Sequence, residues 1–221
     1  IFEDLKEYSN LASAYSNIGN LYNDQKIHDK AINYLEKALA IRLEHGEEKK
    51  CMFTYNNLAV AYGTSEGNDE QNLTKALEYS NKGIEIALKY KNNYVAGVID
   101  GGICHILLEK GKYQDAIPHC EQSIKLLTEA KRMVNLVFPY VNLASVYNRL
   151  DQPQKALDFA MKGYAIMDSN KLADPLEVYL EEIGTAHEKL GNHKEALVWF
   201  KKFMKLDDSL FRSENVRSLA D

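Results

Sequence analysis

One eight-residue phrase recurs along the chain and constrains its fold more than any other feature. It reads Tyr-x-Asn, then Leu or Ile, then Gly or Ala, then x-x-Tyr, and it occupies 15–22, 55–62 and 140–147. The aliphatic residue of the phrase marks five positions that stand 40, 45, 40 and 40 residues apart: Ile18, Leu58, Ile103, Leu143 and Ile183. A period of this kind is typical of repeat proteins, in which a unit buries its apolar face only against its neighbours.

Each unit is predicted to form two amphipathic helices. Apolar residues recur at helical spacing, as in Ile32, Leu35 and Leu39, and the chain has only 12 Gly and 4 Pro among 221 residues. The expected fold is therefore all-α, an α-α superhelix of five helix-turn-helix repeats with a C-terminal helical extension. The expected repeats are 5–46, 47–91, 92–131, 132–172 and 173–207, and the extension is 208–221.

Small residues recur at one level of each helix, where two helix backbones can then approach closely. On the first helix these are Gly19, Ala59, Cys104, Ala144 and Gly184, and on the second they are Ala31, Ala76, Ala116, Ala156 and Ala196. Together with the tyrosines of the phrase, this pattern resembles the tetratricopeptide repeat (TPR) family over residues 5–206. The resemblance implies a stack of helical hairpins whose first helices line a concave groove for a protein or peptide, without catalytic activity.

Three local features are predicted from the residues that favour or break helices. Pro139 falls inside the first helix of the fourth unit, so that helix should start late or bend. Asp174 followed by Pro175 resembles a helix start with an N-cap and a proline at the first helical position. The second unit has about five extra residues within 63–72, and this irregular polar stretch is expected to be a solvated loop.

The groove-facing level just before the marker residue holds Asn in three of the five units. An Asn amide both donates and accepts hydrogen bonds, so a row of them can pair with the backbone of an extended peptide. The resemblance to the TPR family favours this interpretation, because TPRs of the kinesin light chain and peptide-pheromone receptor kinds have such rows. The alternative is a merely solvated polar surface. The candidate peptide-binding residues are Asn17, Asn20, Asn56, Asn57, Gly101, Gly102, His105, Asn142, Asn148 and Arg149.

Other groove positions allow two interpretations each. The pair Gly101 and Gly102 is either a gap for a bound chain or a place of close packing between units. Four apolar residues at equivalent positions of the first helices are expected to be core, although they could form a strip at the edge of the groove: Phe53, Val98, Phe138 and Val178. The recurring tyrosines are expected to be core. Acidic residues in the last unit either favour a basic partner or form a solvated face: Glu177, Glu181, Glu182 and Glu188.

Several classes of function are disfavoured. A net charge of −5 and a pI near 5.7 argue against contact with nucleic acid. The sequence shows no run long enough for a membrane span, no catalytic or nucleotide-binding motif, no metal-ligand spacing and no sign of a cofactor. The groove lacks the lysines of chaperone-binding TPRs. A disulfide framework is not expected, and Cys104 and Cys120 are predicted to face each other as buried packing residues.

The segment that begins Leu206-Asp-Asp-Ser-Leu-Phe resembles the end of TPR sensor modules in bacterial histidine kinases and transcription regulators. That resemblance implies the sensory or scaffolding part of a larger bacterial signalling protein, cytoplasmic or periplasmic, with an output domain beyond Asp221. Apolar residues along the tail are expected to be covered either by further sequence or by a second copy, as a homodimer through the C-terminal helix: Phe203, Leu206, Leu210, Val216 and Leu219. The alternative is a stand-alone structural adaptor that assembles a complex without a peptide ligand.

Overall fold

A computed structural model describes residues 2–65 and 69–218, with side chains over 7–65 and 70–206. Within these residues all regular structure is helical, and ten α-helices follow one another as five hairpins. Their bounds are α1 Phe2–Asp24, α2 His28–Glu44, α3 Glu48–Thr64, α4 Asp69–Lys89, α5 Asn93–Glu109, α6 Tyr113–Glu129, α7 Val137–Arg149, α8 Pro153–Asn170, α9 Leu176–Lys189 and α10 His193–Ser218, and a short 3-10 helix, Met133–Leu136, precedes α7. The predicted α-α superhelix is confirmed.

The odd-numbered and even-numbered helices form two layers. Each odd-numbered helix packs against the next odd-numbered one, α1 on α3, α3 on α5, α5 on α7 and α7 on α9. The even-numbered helices contact mainly their sequence neighbours. Because the odd layer is packed more closely along the stack, it lies on the inside of the curve and forms the concave surface.

The turns that follow eight of the described helices end them in the same way, whereas α3 is followed by Ser65 in an extended conformation. Eight residues just past a helix have a positive φ: Lys26, Gly46, Lys91, Gly111, Lys131, Asp151, Lys171 and Gly191. A left-handed residue at this position lets the next amides bond back to the last helical carbonyls, as the Gln152 amide does to the Tyr147 carbonyl oxygen at 2.8 Å. The chain can therefore reverse within two or three residues.

Aromatic rings stack between the two helices of a unit. Ring centroids are 5.7 Å apart for Tyr22 and Tyr34, and Tyr62 and Tyr79 repeat this arrangement at 5.6 Å. Burial and the neighbouring Glu36 raise the pKa of Tyr62 to about 12. Four lysines lie over these rings, with each Nζ atom 4.7–5.6 Å from a ring centroid, in the geometry of cation–π contacts: Lys30, Lys37, Lys75 and Lys82. The prediction that the recurring tyrosines belong to the core is thus supported by their packing.

The local predictions have mixed outcomes. The fourth unit's first helix does start late, since α7 begins at Val137 and Pro139 lies in its first turn. The predicted start of α9 is wrong, because the helix begins at Leu176, after Pro175, and no side chain caps it. The predicted loop over 63–72 is also wrong at both ends. Helix α3 continues to Thr64, and α4 starts at Asp69 and is 21 residues long.

The expectation of no disulfide is wrong as well. Cys104 on α5 and Cys120 on α6 are fully buried and face each other as predicted, but their sulfur atoms are bonded, with the Cα atoms 5.3 Å apart. Cys51 is a free, buried thiol whose pKa is raised by its burial.

The C-terminal helix runs on past the fifth hairpin, as expected, and α10 extends to Ser218. The exposed part of it that is described includes Leu197, Val198 and Met204. The tail residues Leu210, Val216 and Leu219 lie outside the described side chains, and the homodimer through this helix stays a prediction.

Candidate functional site

A cavity of about 570 Å³ opens on the concave surface between α5, α7 and α9. It brings together four of the predicted site residues, Gly101, Gly102, His105 and Asn142, with apolar side chains from all three helices. The other predicted residues do not line it: Asn17, Asn20, Asn56, Asn57, Asn148 and Arg149. We call this space the Gly102 cavity.

The two glycines of α5 differ in what surrounds them. A Cβ atom added to Gly102 would meet nothing within 4 Å, whereas one added to Gly101 would lie 3.0 Å from the Ser123 Oγ of α6. That hydroxyl donates to the Gly97 carbonyl oxygen at 2.7 Å and holds α6 close to α5. Gly101 therefore serves close packing within its hairpin, and Gly102 leaves the groove open.

The four apolar residues at one level of the inner helices, which are predicted above to be core, are instead solvent-exposed, and we call them the apolar row. The exposed fractions are 50% for Phe53, 38% for Val98, 47% for Phe138 and 39% for Val178. These residues follow one another on α3, α5, α7 and α9, and the last three line the Gly102 cavity. The core expectation is wrong because the residues that hold consecutive units together lie at neighbouring levels, such as Ile99 and Tyr179, which are buried.

The predicted asparagine row is present but uneven. Asn17 is exposed, and Asn57 is half-buried between neighbours on α1 and α3. The Asn23 Nδ2 donates to the Asn57 carbonyl oxygen at 3.3 Å, and the Asn56 Nδ2 lies 3.4 Å from the Asn57 Oδ1. Asn142, in the cavity wall, is only 8% exposed. The amides that could face a ligand are thus spread over three helices.

Asn148 differs most from its expected role, because it is 1% exposed and binds a buried carboxylate. Its Nδ2 donates to the Glu182 Oε2 at 2.6 Å and to the Glu182 carbonyl oxygen at 3.0 Å. The Ser145 Oγ donates to the Glu182 Oε1 at 2.6 Å. Glu182 is therefore neither a free acidic groove residue nor a solvated one, and this network joins α7 to α9 beneath the groove.

We predict that Asn148→Ala destabilises the protein by about 1.5–3 kcal/mol, because the buried carboxylate of Glu182 loses charge-assisted hydrogen bonds. Urea unfolding followed by circular dichroism at neutral pH measures the change. Asn81→Ala is the control, since Asn81 is exposed on α4 and its replacement should change the free energy of unfolding by at most about 0.5 kcal/mol. Equal midpoints for the two variants would contradict a joining role for Asn148.

A second cavity, of about 850 Å³, lies at the turn side of the first three units. It is lined mainly by polar residues, among them Asn23, Asp24 and His28, and it shares His105 and Glu109 with the Gly102 cavity. His105 is exposed at the junction. Arg149 is exposed but lines neither cavity. The two cavities are therefore adjacent, with His105 and Glu109 lining both.

Over the described side chains, no group of three or more His, Cys, Asp or Glu residues is arranged to hold a metal ion. The pair formed by the His119 Nδ1 and the Asp100 Oδ1, 3.0 Å apart, joins α5 to α6 within the third hairpin. None of the described helices has both the length and the apolar character needed to cross a bilayer.

Comparison with known proteins decides the family. Two family models, both described as tetratricopeptide repeat, match residues 10–89 and 95–169 and residues 179–209, which is most of the chain. The chain belongs to the tetratricopeptide repeat family. A curated relative, the inactive peptidyl-prolyl cis-trans isomerase shutdown of Bombyx mori, is 31% identical over 110 residues, 46% of this TPR chain and 24% of that protein. The matched segment thus spans about a quarter of that relative's length.

Solved structures of low sequence identity share the fold of this TPR protein. BtubC (BKLC) from P. vanneervenii is 15% identical with a TM-score of 0.78, over 95% of this chain and 84% of that one. The apo form of RapI is 17% identical with a TM-score of 0.77, over 93% and 73%. A putative kinesin light chain from Podosopora anserina, with nearly identical TPR-like repeats, is 16% identical with a TM-score of 0.65, over 92% and 97%. TPR domains of this kind are typically non-enzymatic scaffolds for protein interaction.

Proposed function

We propose that this TPR domain binds an extended segment of another protein along its concave surface and anchors it in the Gly102 cavity. One observation carries the proposal: Gly102 leaves the groove open where three consecutive inner helices each present an exposed apolar side chain, Val98, Phe138 and Val178. Exposed apolar residues that are contiguous in a concave site mark a binding surface, because burying them on a ligand is favourable.

The polar groups of the cavity favour a peptide over an apolar small molecule. His105 on α5 and Asn142 on α7 line the cavity together with the apolar side chains, and both can hydrogen-bond to a backbone amide or carbonyl group. The polar second cavity shares His105 and Glu109 with this one, so a chain several residues long could reach from one cavity into the other. A compact apolar ligand would fill only the Gly102 cavity and leave the polar second cavity empty.

A library of random twelve-residue peptides displayed on phage tests this proposal, followed by titration of the selected peptides into the purified protein. We expect Gly102→Leu to weaken binding about tenfold or more, because the added side chain would extend into the cavity. Phe138→Asn should weaken it about three- to tenfold through lost apolar contact. The Gly102 change adds a better helix former, so circular dichroism should show an intact fold.

The control is Leu88→Asn on the outer helix α4, since Leu88 is 45% exposed and Phe138 is 47% exposed. It should leave the affinity of the same peptides unchanged. Selected peptides that bind Gly102→Leu as tightly as the unchanged protein would overturn the proposal and favour the structural adaptor, in which the groove has no peptide ligand.

The wider setting is part of the same proposal. As the sensory or scaffolding module of a larger signalling protein, the domain would pass binding at the groove to its C-terminal helix α10 through changes in the curvature of the stack. The support is the nearest-neighbour construction of the solenoid, in which α7, α9 and α10 are packed in series after the cavity.

A further inference from the structure

We propose that the bound segment has large apolar side chains at every third residue and a lysine or arginine beside the apolar side chain that lies against Val178. This inference rests on the proposed function and specifies the chemistry of its partner. It follows from the spacing of the apolar row and from the distribution of unpaired charge along it.

The apolar row has one member on each of four consecutive inner helices: Phe53, Val98, Phe138 and Val178. Packed helices lie about 8–10 Å apart, so a ligand that follows the row meets a new apolar contact at about that interval. A segment in the polyproline II conformation rises about 3.1 Å per residue with three residues per turn, so its equivalent side chains recur about every 9 Å. That repeat matches the row, which therefore favours apolar residues at i, i+3 and i+6.

Other conformations fit the row less well. Side chains on one face of a β-strand recur about every 6.6 Å, and those on one face of an α-helix recur about every 5.4 Å. Both would place some apolar side chains over the gaps between inner helices. A helical segment also has its backbone groups already paired, whereas an extended one leaves them free for the amides of Asn57 and Asn142. The groove is thus matched to an extended chain of period three.

Charge distinguishes the two ends of the row. Glu177 and Glu181 stand on either side of Val178 on α9, both exposed, and neither forms an ion pair with any described residue. Lys189, at the far end of α9, is already paired, since its Nζ donates to the Asn148 carbonyl oxygen at 2.7 Å and to the Asp151 Oδ1 at 3.0 Å. At the other end, Lys50 near Phe53 is paired with Glu47 at 2.7 Å. The unpaired negative charge beside Val178 fits a cationic residue of the partner.

The test uses the same phage selection, now read for sequence. We expect enriched peptides to share large apolar residues at i, i+3 and i+6, with Lys or Arg next to the terminal one. Glu177→Gln combined with Glu181→Gln should weaken such peptides about three- to tenfold at low salt, and less at high salt, because exposed charge pairs are modest and screened. Inserting one alanine between the first two apolar residues should abolish most of the affinity by breaking the register.

The matched control is Glu85→Gln combined with Glu121→Gln, which removes the same charge from exposed sites on the outer helices α4 and α6. It should leave the affinity unchanged. Peptides that depend on Gly102 but show no period of three, or that bind equally well to the Glu177 and Glu181 variant, would overturn this inference while leaving the proposed function intact. Binding that does not depend on Gly102 would instead remove the proposed function itself.

Discussion

Gly163→Ala is expected to destabilise the protein by about 3 kcal/mol or more, because the new methyl group would overlap the ring and hydroxyl of Tyr179. Tyr179 is fully buried between α7, α8 and α9, and its hydroxyl donates to the Val137 carbonyl oxygen. Burial raises the pKa of this hydroxyl, so it stays protonated and can keep donating this hydrogen bond. Thermal unfolding followed by circular dichroism should show a midpoint lower by roughly 6–12 °C.

The matched control is Gly102→Ala, the same change in an inner helix where a Cβ meets nothing within 4 Å. It should stabilise the protein by up to about 1 kcal/mol, because alanine is the better helix former. A second measurement tests whether the loss of stability depends on Tyr179 itself. In a Tyr179→Leu background the Gly163 change should cost much less, since the atoms that it overlaps are gone. Equal shifts for Gly163→Ala and Gly102→Ala would contradict the packing of Tyr179 against α8.

The overall fold could be predicted from the sequence because each unit repeats the same physical requirement. A small residue must lie where two helix backbones meet, and that requirement recurs in phase with Ile18 and Leu58 along the chain. The compensating partners could not be predicted, because they change from unit to unit. Gly19 packs against Leu35, and Gly184 packs against Phe200, and such a pair is visible only once both helices are in place.

The site could be predicted only in part. The levels that face the groove follow from the repeat, but the sequence leaves open whether Gly102 serves packing or an opening. Periodicity could not separate the apolar row from the core, because an exposed Phe138 and a buried Tyr179 both recur at helical spacing. Nor could it show that Asn148 binds Glu182, since hydrogen bonds between residues 34 apart depend on the packing of α7 against α9.

The cysteine pair provides the second large effect that we expect. Cys104 and Cys120 are 16 residues apart in sequence and join the two helices of the hairpin beneath the Gly102 cavity. A crosslink closing a loop of this length stabilises a protein by about 3 kcal/mol, mainly by restricting the unfolded chain. Reduction should therefore lower the thermal midpoint by roughly 6–12 °C. Thiol titration in denaturant should count one free thiol, Cys51, before reduction and three after it.

The fourth unit supplies the control for this prediction. At the corresponding levels it has Ala144 and Ala160, both fully buried, so Cys104→Ala combined with Cys120→Ala should fold with the same helix packing. The double variant should melt near the reduced protein and should no longer respond to reductant, whereas Cys51→Ala should keep the full response. Three free thiols in protein purified without reductant, or one midpoint with and without reductant, would show that the two cysteines only pack against each other and that the third hairpin is not crosslinked.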